Sequence, residues 1–282
     1  MPSSSSRMIE TLAAKKSRGE KITMLTAYDY PLARILDEAG IDIILVGDSV
    51  ANVVLGLDST TAVGMTEMLH HARAVTRGVK KEFVVGDMPY DSYQADLAHA
   101  VANARRFIQE ADCGAVKLEW FRQCPNVAEK IIKAGIPVMG HVGLTPQTVD
   151  PETGFRVKGK DAESAREILE QALTLEEVGC FSLVIECVPQ EVARLITQSL
   201  TIPTIGIGAG KYCDGQVLVT HDLLGLFDKF HPKFAKSYAN LSGQISQAVT
   251  RYRRDVMDQR FPSRKYSYTM DKKEFKELKA SV

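Results

Sequence analysis

Apolar and polar positions along the chain fall into two alternating kinds of segment. Short β-branched or apolar runs occupy residues 22–27, 42–47, 83–87, 115–119, 136–141, 182–186, 203–206 and 216–220. Each is about four to six residues long, and several lack the polar alternation of a half-exposed strand, which is the pattern of parallel strands buried on both faces. Between them lie segments with helical spacing. Residues 31–39 place Leu32, Ile35 and Leu36 on one face, residues 92–110 form a long helical stretch, and residues 162–178 carry Ile168, Leu169, Ala172, Leu173 and Leu175 among charges. Glycine just before the next strand marks three helix ends, at Ala39-Gly40, Ala134-Gly135 and Val178-Gly179, because glycine readily takes the left-handed conformation that closes a helix.

Strand then helix, repeated about eight times without a Pro/Gly/Ser-rich linker, predicts a single α/β domain with a parallel sheet. The repeat number and the 282-residue length favour a closed (β/α)8 TIM barrel over the alternative, an open doubly wound sheet. The expected organisation is an N-terminal tail and lead-in over 1–20, the barrel with a polar C-terminal helix (237–259) over 21–259, and a polar basic tail over 260–282 that serves as an appendage or interface arm. The opening Met1-Pro2-Ser3-Ser4-Ser5-Ser6-Arg7 has no apolar region of a signal peptide and reads as a short disordered tag.

Composition narrows the partners. Lys+Arg and Asp+Glu both number 35, so the formal net charge is zero. That balance argues against the basic stripe of a nucleic-acid binder and suits a surface partly buried in a homo-oligomer. No apolar run approaches the roughly 20 residues that span a bilayer, so no membrane partner is expected. Five cysteines (Cys113, Cys124, Cys180, Cys187 and Cys213) are odd in number and lack C-x2-C spacing. Reduced thiols in a cytoplasmic protein are expected, rather than a zinc site or a disulfide framework.

The strand ends carry the candidate chemistry. The second run ends Val46-Gly47-Asp48-Ser49, the third Val85-Gly86-Asp87, the fourth Val116-Lys117-Leu118-Glu119, the fifth Met139-Gly140-His141 and the sixth Val184-Ile185-Glu186. Taken singly, each reads as a helix cap or a loop polar group. In a barrel all five ends share one face, where active sites are built. Asp48, Asp87 and Glu119 are hard oxygen ligands suited to Mg2+, and several carboxylates at one site repel unless a divalent cation sits among them. A 2-keto acid held there would lose the C–H proton next to its keto group to a base, and Glu186, on a different strand, is the spare carboxylate. Lys117 is a candidate to neutralise the substrate carboxylate or the enolate, against the plainer reading of a structural ion pair. His141 is a candidate donor or acid, against an ordinary polar-rim histidine. The run Gly206-Ile207-Gly208-Ala209-Gly210 lacks a following Lys-Ser/Thr and comes too late for a dinucleotide fingerprint, so close backbone approach to substrate or a tight turn is expected there.

The motifs also form an ordered series: Thr26-Ala27-Tyr28-Asp29, Leu45-Val46-Gly47-Asp48-Ser49, Gly86-Asp87-Met88-Pro89, Val116-Lys117-Leu118-Glu119, Gly140-His141-Val142-Gly143-Leu144-Thr145-Pro146-Gln147, Glu186-Cys187-Val188-Pro189, Ile205-Gly206-Ile207-Gly208-Ala209-Gly210, Asp214-Gly215-Gln216-Val217-Leu218-Val219 and Pro232-Lys233-Phe234-Ala235-Lys236. Over residues 21–252 this series resembles the ketopantoate hydroxymethyltransferase (3-methyl-2-oxobutanoate hydroxymethyltransferase) family. The resemblance implies a barrel of the phosphoenolpyruvate/pyruvate superfamily type, Mg2+ as cofactor, and 5,10-methylenetetrahydrofolate as co-substrate. It implies transfer of a hydroxymethyl group to 3-methyl-2-oxobutanoate, giving ketopantoate on the way to pantothenate. By matching position it implies Asp48 and Asp87 as metal carboxylates, with Glu119 as an acidic neighbour of the metal. Asp48, Ser49, Asp87 and Lys117 would contact the keto acid, with His141 a further candidate, and Glu186 would be the proton acceptor. Members are commonly large homo-oligomers, often decamers.

One departure stands out: Glu119 is followed by Trp120-Phe121-Arg122, where the family usually continues into a Gly-rich turn. The expected consequence is a narrowed folate entrance or a re-routed loop. Residues 151–160, with Gly-Phe-Arg-Val-Lys-Gly, are expected to form a lid or substrate-side loop. Two alternatives compete. A superfamily lyase or mutase on a related 2-keto acid usually carries a Lys-Lys-Cys-Gly-His loop, and none of the five cysteines has that context. A non-catalytic relative with impaired folate binding is the other.

Overall fold

Eight short strands, β1 (Ile22–Thr26), β2 (Ile43–Val46), β3 (Phe83–Asp87), β4 (Ala115–Glu119), β5 (Val138–Gly143), β6 (Ser182–Glu186), β7 (Thr204–Ile207) and β8 (Gly215–Leu218), pair in parallel in chain order. β8 returns to β1, with Met24 opposite Val217, and closes the barrel. This computed structural model describes residues 4–148, 156–227, 229 and 232–282. The helices are α1 (Ser4–Arg18), α2 (Tyr30–Glu38), α3 (Val50–Val53), α4 (Met65–Gly78), α5 (Leu97–Ala111), α6 (Cys124–Lys133), α7 (Ala162–Glu177), α8 (Gln190–Ser199), α9 (Thr220–Leu224), α10 (Leu241–Met257) and α11 (Lys272–Ala280).

The missing polar alternation is explained by two buried layers. Inward-facing Ile22, Met24, Ile43, Leu45, Phe83, Val85, Ala115, Met139, Val184, Ile205 and Val217 fill the barrel. Residues of opposite phase, such as Ile44, Val46, Val84, Val116, Leu118, Leu183 and Ile185, belong to the cluster shared with the surrounding helices. Most strand side chains therefore meet either the barrel interior or a helix, as in parallel barrel sheets, with Thr23 of β1 and Gln216 of β8 exposed. The expected glycine stops are realised: Gly40, Gly135 and Gly179 have φ of +74°, +83° and +101°.

The structure corrects the reading of the N-terminus as a disordered tag. The helix α1 begins at Ser4, and Met8, Ile9 and Leu12 pack on the interior cluster, with Leu12 only 1% exposed. Lys15 pairs with Asp42, and Lys16 Nζ donates to Asp214 Oδ2 at 2.9 Å and to the Ile202 carbonyl at 2.9 Å. The lead-in is thus a helical plug beneath the strand starts. Its apolar spacing, short and placed beside a serine run, gave a weak signal. Residues 1–3 lie outside the described residues.

Two other boundaries shift for local reasons. The long helix expected from residue 92 starts at Leu97, because the Asp96 side chain accepts from the Ala98 and His99 N–H groups and caps it. The eighth strand ends at Leu218, since Thr220 opens α9 and its hydroxyl donates to the Thr26 carbonyl. The polar stretch near the C-terminus is α10, and the tail holds α11; neither helix buries a residue. Among the described residues no helix is long and apolar enough to cross a membrane. Of the segment expected to be a lid, residues 151–155 lie outside the described residues, and Lys158 N–H donates to the Cys187 carbonyl at 2.9 Å.

Candidate active site

Period-two alternation carries polar side chains into the barrel at its C-terminal end. Asp87 follows inward-facing Val85 by two residues, Lys117 and Glu119 follow Ala115, His141 follows Met139, and Glu186 follows Val184. Register then decides the neighbours. Asp87 lies opposite Lys117, Glu119 opposite His141, and Glu186 opposite Gly143. Asp48 stands two residues past β2, and its N–H donates to Asp87 Oδ2 at 3.4 Å. Beside it, Ser49 immediately precedes α3, and its hydroxyl is 2.7 Å from that of Tyr28 rather than capping the helix. All the candidate residues read from the strand ends thus share one rim.

Asp48, Asp87, Lys117, Glu119 and His141 are buried. Lys117 Nζ donates to Asp87 Oδ1 at 2.6 Å. Burial works against the lysine's charge, but Asp87, Glu119 and Asp48 outweigh it and hold its pKa above the ordinary lysine range. Burial pushes the Asp87 carboxyl up in spite of Lys117. Asp48 is pushed up to about 8, first by burial and then by the charges of Asp87 and Glu119. Too many buried negative charges share too few cations, which is the electrostatic condition for a divalent ion.

His141 bridges the other side of the rim. Its Nδ1 is 3.4 Å from Glu119 Oε1 and its Nε2 is 3.2 Å from Glu186 Oε2. Neither ring nitrogen makes an aligned hydrogen bond among the described residues, so these are charge contacts. Burial opposes protonation of the ring, but the two carboxylates win and lift its pKa to about 9. In return, burial of Glu119 is outweighed by His141, and its pKa lies below the usual carboxylate value. The Glu186 side chain retains 15% exposure, against 2% for Glu119, and is the carboxylate of this pair that solvent or substrate can reach.

Among the described residues no three His, Cys, Asp or Glu side chains form a preassembled metal cage. The donor set nevertheless fits Mg2+, which takes one or two carboxylates and completes its shell with water and substrate oxygens. Asp48 and Asp87 supply hard oxygens whose mutual repulsion a cation would relieve. Glu119 is held from both sides, by His141 and by the Gln147 N–H at 2.9 Å.

A ketopantoate hydroxymethyltransferase family model matches residues 6–264. The chain belongs to this family. It is 52% identical over 262 residues to the 3-methyl-2-oxobutanoate hydroxymethyltransferase of Syntrophomonas wolfei subsp. wolfei, covering 93% of this chain and 95% of that protein. It is 53% identical over 263 residues to the protein of that name from Clostridium kluyveri, covering 93% and 94%. Among solved structures, phosphonopyruvate hydrolase complexed with oxalate and Mg++ superposes with a TM-score of 0.60 at 14% identity, covering 92% of this chain and 93% of that one. For 2,3-dimethylmalate lyase, a PEP mutase/isocitrate lyase superfamily member, the TM-score is 0.58 at 13% identity, covering 98% and 99%. These likenesses, at low identity, show a shared (β/α)8 barrel fold.

In this member of the ketopantoate hydroxymethyltransferase family, two residues given no role from sequence tie the rim together. Gln147 contacts Asp48, Met88 and Glu119, and Tyr93 donates to Gln147 Oε1 at 2.6 Å. Gln147 lies within a motif read from the sequence, but only the folded loop brings it across to β2. The aromatics Trp120 and Phe121, after Glu119, adjoin this network. Trp120 N–H continues the ladder to the His141 carbonyl at 2.9 Å, and both side chains pack on the helix-facing core. The Phe121 ring meets that of Tyr93 edge-on at 5.6 Å. In the glycine-rich loop, Gly208 has φ +61°, and a Cβ there would lie 2.7 Å from the Phe234 ring. Its close approach is to a protein side chain. All five cysteines are free thiols.

Proposed function

We propose that this chain transfers a hydroxymethyl group to 3-methyl-2-oxobutanoate to give ketopantoate for pantothenate synthesis, with 5,10-methylenetetrahydrofolate as donor and Mg2+ as cofactor. The names of its half-identical relatives support the reaction. The observation that carries the mechanism is the division of the rim. Asp48 and Asp87 crowd together beside Lys117, while Glu186 stands apart across His141 with its carboxylate accessible.

Asp48 and Asp87 would hold the cation, with Glu119 its acidic neighbour. The cation supplies Lewis acidity at the keto oxygen, which lowers the cost of removing the proton on C3. Asp48, Ser49 and Lys117 orient the keto acid, and the Lys117 ammonium offsets the negative charge that develops on it. Glu186 accepts the C3 proton, and the C–H electron pair moves towards the keto group as the enolate forms. C3 of the enolate then bonds to the methylene carbon of the donor. A water oxygen bonds to that carbon and both of its C–N bonds break, the two water protons going to the nitrogens of the departing tetrahydrofolate. That oxygen, negative once C3 has bonded to the carbon, takes the proton held by Glu186 and becomes the hydroxyl. His141, charged and buried against Glu186, fixes the orientation of the base.

The test is ketopantoate formation from both substrates with Mg2+, alongside deuterium exchange at C3 of the keto acid. Glu186→Gln should abolish exchange while the protein still binds the keto acid. Unchanged exchange would remove Glu186 from the base role, and exchange without product in the native chain would show a failed folate site.

The same reading includes a cytoplasmic homo-oligomer, a decamer by family resemblance. Ile245, Val249, Tyr252 and Val256 form an exposed apolar stripe on α10, which supports burial against further copies. Light scattering on the purified chain measures the assembly, and a monomer would overturn it.

A further inference from the structure

Gln147 lies in the 3-10 turn Pro146–Thr148 after β5, buried, with its amide held in one orientation. Nε2 carries two protons and donates to Asp48 Oδ2 at 2.9 Å and to the Met88 carbonyl at 3.1 Å. Oε1 accepts from the Tyr93 hydroxyl at 2.6 Å, and the backbone N–H of Gln147 donates to Glu119 Oε2 at 2.9 Å. Turning the amide over would set Oε1 against a carboxylate and a carbonyl, two acceptors facing a third, and would point N–H groups at a hydroxyl. In the observed orientation every polar atom of the amide is satisfied.

Tyr93 is the reason the choice is firm. Its ring is 1% exposed and is steadied edge-on by Phe121, and its only hydrogen-bonding atom is aimed at Oε1. The chain of contacts therefore runs Phe121, Tyr93, Gln147, Asp48, from the helix-facing core to the rim. Gln147 occupies one oxygen of Asp48 and leaves Oδ1 without a protein donor among the described residues. Through its backbone it also restrains Glu119, so one residue sets the placement of two acidic groups.

We propose that Gln147 is a positioning residue for the Asp48 carboxylate, and that Tyr93 acts only through it, by locking the orientation of the Gln147 amide. The role rests on the proposed function, in which Asp48 holds Mg2+. Neither residue touches the reacting atoms. Losing a group that orients a metal ligand from behind typically weakens metal binding by roughly 10- to 100-fold, because a carboxylate free to rotate must be ordered at the moment of binding.

The test titrates Mg2+ alone into the full-length protein by calorimetry, for the native chain, Tyr93→Phe, Gln147→Leu and the double variant, with thermal unfolding and the KM for the keto acid measured in parallel. Gln147→Leu is expected to weaken Mg2+ binding by roughly 10- to 100-fold. Tyr93→Phe deletes one oxygen and is expected to weaken it by about 5-fold, the worth of one hydrogen bond. The double variant should bind no more weakly than Gln147→Leu, because the lock is useless without the amide it holds. Should Gln147→Leu fail to fold, Tyr93→Phe carries the test. Folded variants with native Mg2+ affinity and only a lowered Tm would overturn the proposal, as would additive losses in the double variant. A native chain that binds no Mg2+ would overturn the metal reading itself, and this role with it.

Discussion

Lys117 Nζ and Asp87 Oδ1 are 2.6 Å apart across adjacent strands, with both side chains almost wholly withdrawn from water. A buried pair of this kind adds little net stability, but breaking it strands a charge. Lys117→Met should therefore cost up to about 3–5 kcal/mol at high pH, in so far as Asp87 is ionised there without its partner. The loss should shrink at pH 5, because burial already raises the Asp87 pKa and the carboxyl takes up a proton once its partner is gone. Urea unfolding at the two pH values measures the difference. Equal losses would mean that the ammonium is not what keeps Asp87 charged.

Asp48 should show a conflict between stability and function. Its pKa is raised to about 8 by burial and by Asp87 and Glu119. A raised carboxyl pKa destabilises the fold increasingly as pH climbs from the unfolded value, about 4, to the folded one. Asp48→Asn removes that cost and should leave the metal-free protein as stable as the native chain, or more so, at pH 8. The same change should abolish the rise in Tm that Mg2+ gives the native protein by binding the folded state. Thermal unfolding with Mg2+ and with chelator tests both halves. A native-sized Mg2+ effect in Asp48→Asn would take Asp48 out of the metal site.

The rim was legible in the sequence because strand periodicity is rigid. Once Val85 faces inward, Asp87 must as well, and the same arithmetic takes Ala115 to Lys117 and Glu119, and Val184 to Glu186. Hydrophobic patterning and glycine stops made the barrel legible for the same reason. Gln147 and Tyr93 were not legible, since their contacts join a turn after β5 to residues following β2 and β3. Loop paths have no period to read. The packing of the residues after Glu119 was equally illegible: Trp120 and Phe121 are partly buried against the core cluster, and no period in the sequence gives their direction. The plug formed by α1 escaped notice because Leu12 gains meaning only beside Ile22, Ile43 and Phe83.

That plug is open to direct measurement. Leu12 is 1% exposed and belongs to the interior cluster. Leu12→Ala should cost about 2–5 kcal/mol, the range for a truncated core leucine, because the rigid strand starts cannot collapse on the gap. Denaturant midpoints of the two proteins give the value. A change below about 0.5 kcal/mol, typical of a surface site, would mean that α1 is not docked.

The ties between that plug and the barrel make stability pH-dependent at the end opposite the active site. Asp42 pairs with Lys15 of α1, and its Oδ2 accepts from the Thr23 N–H at 2.8 Å and from the Thr23 hydroxyl at 2.9 Å. Burial raises the Asp42 pKa, but the bonds from Lys15 and Thr23 outweigh it, and the folded value lies below the unfolded one. The sign follows from linkage. A depressed carboxylate contributes stability that is fully present above its unfolded pKa, about 3.9, and is lost as pH falls through the folded value. Asp42→Asn keeps the shape but removes the charge, and should cost about 1–2 kcal/mol at pH 7, the lower part of the roughly 1.5–3 kcal/mol of hydrogen bonds to a charged group once solvent screening of this partly exposed pair is discounted. The gap between native and variant proteins should hold steady down to about pH 4 and then close as the native Asp42 is protonated. Unfolding free energies measured from pH 7 to pH 3 test this. A gap that widened on acidification would show that Asp42 is not held as a carboxylate by Lys15 and Thr23.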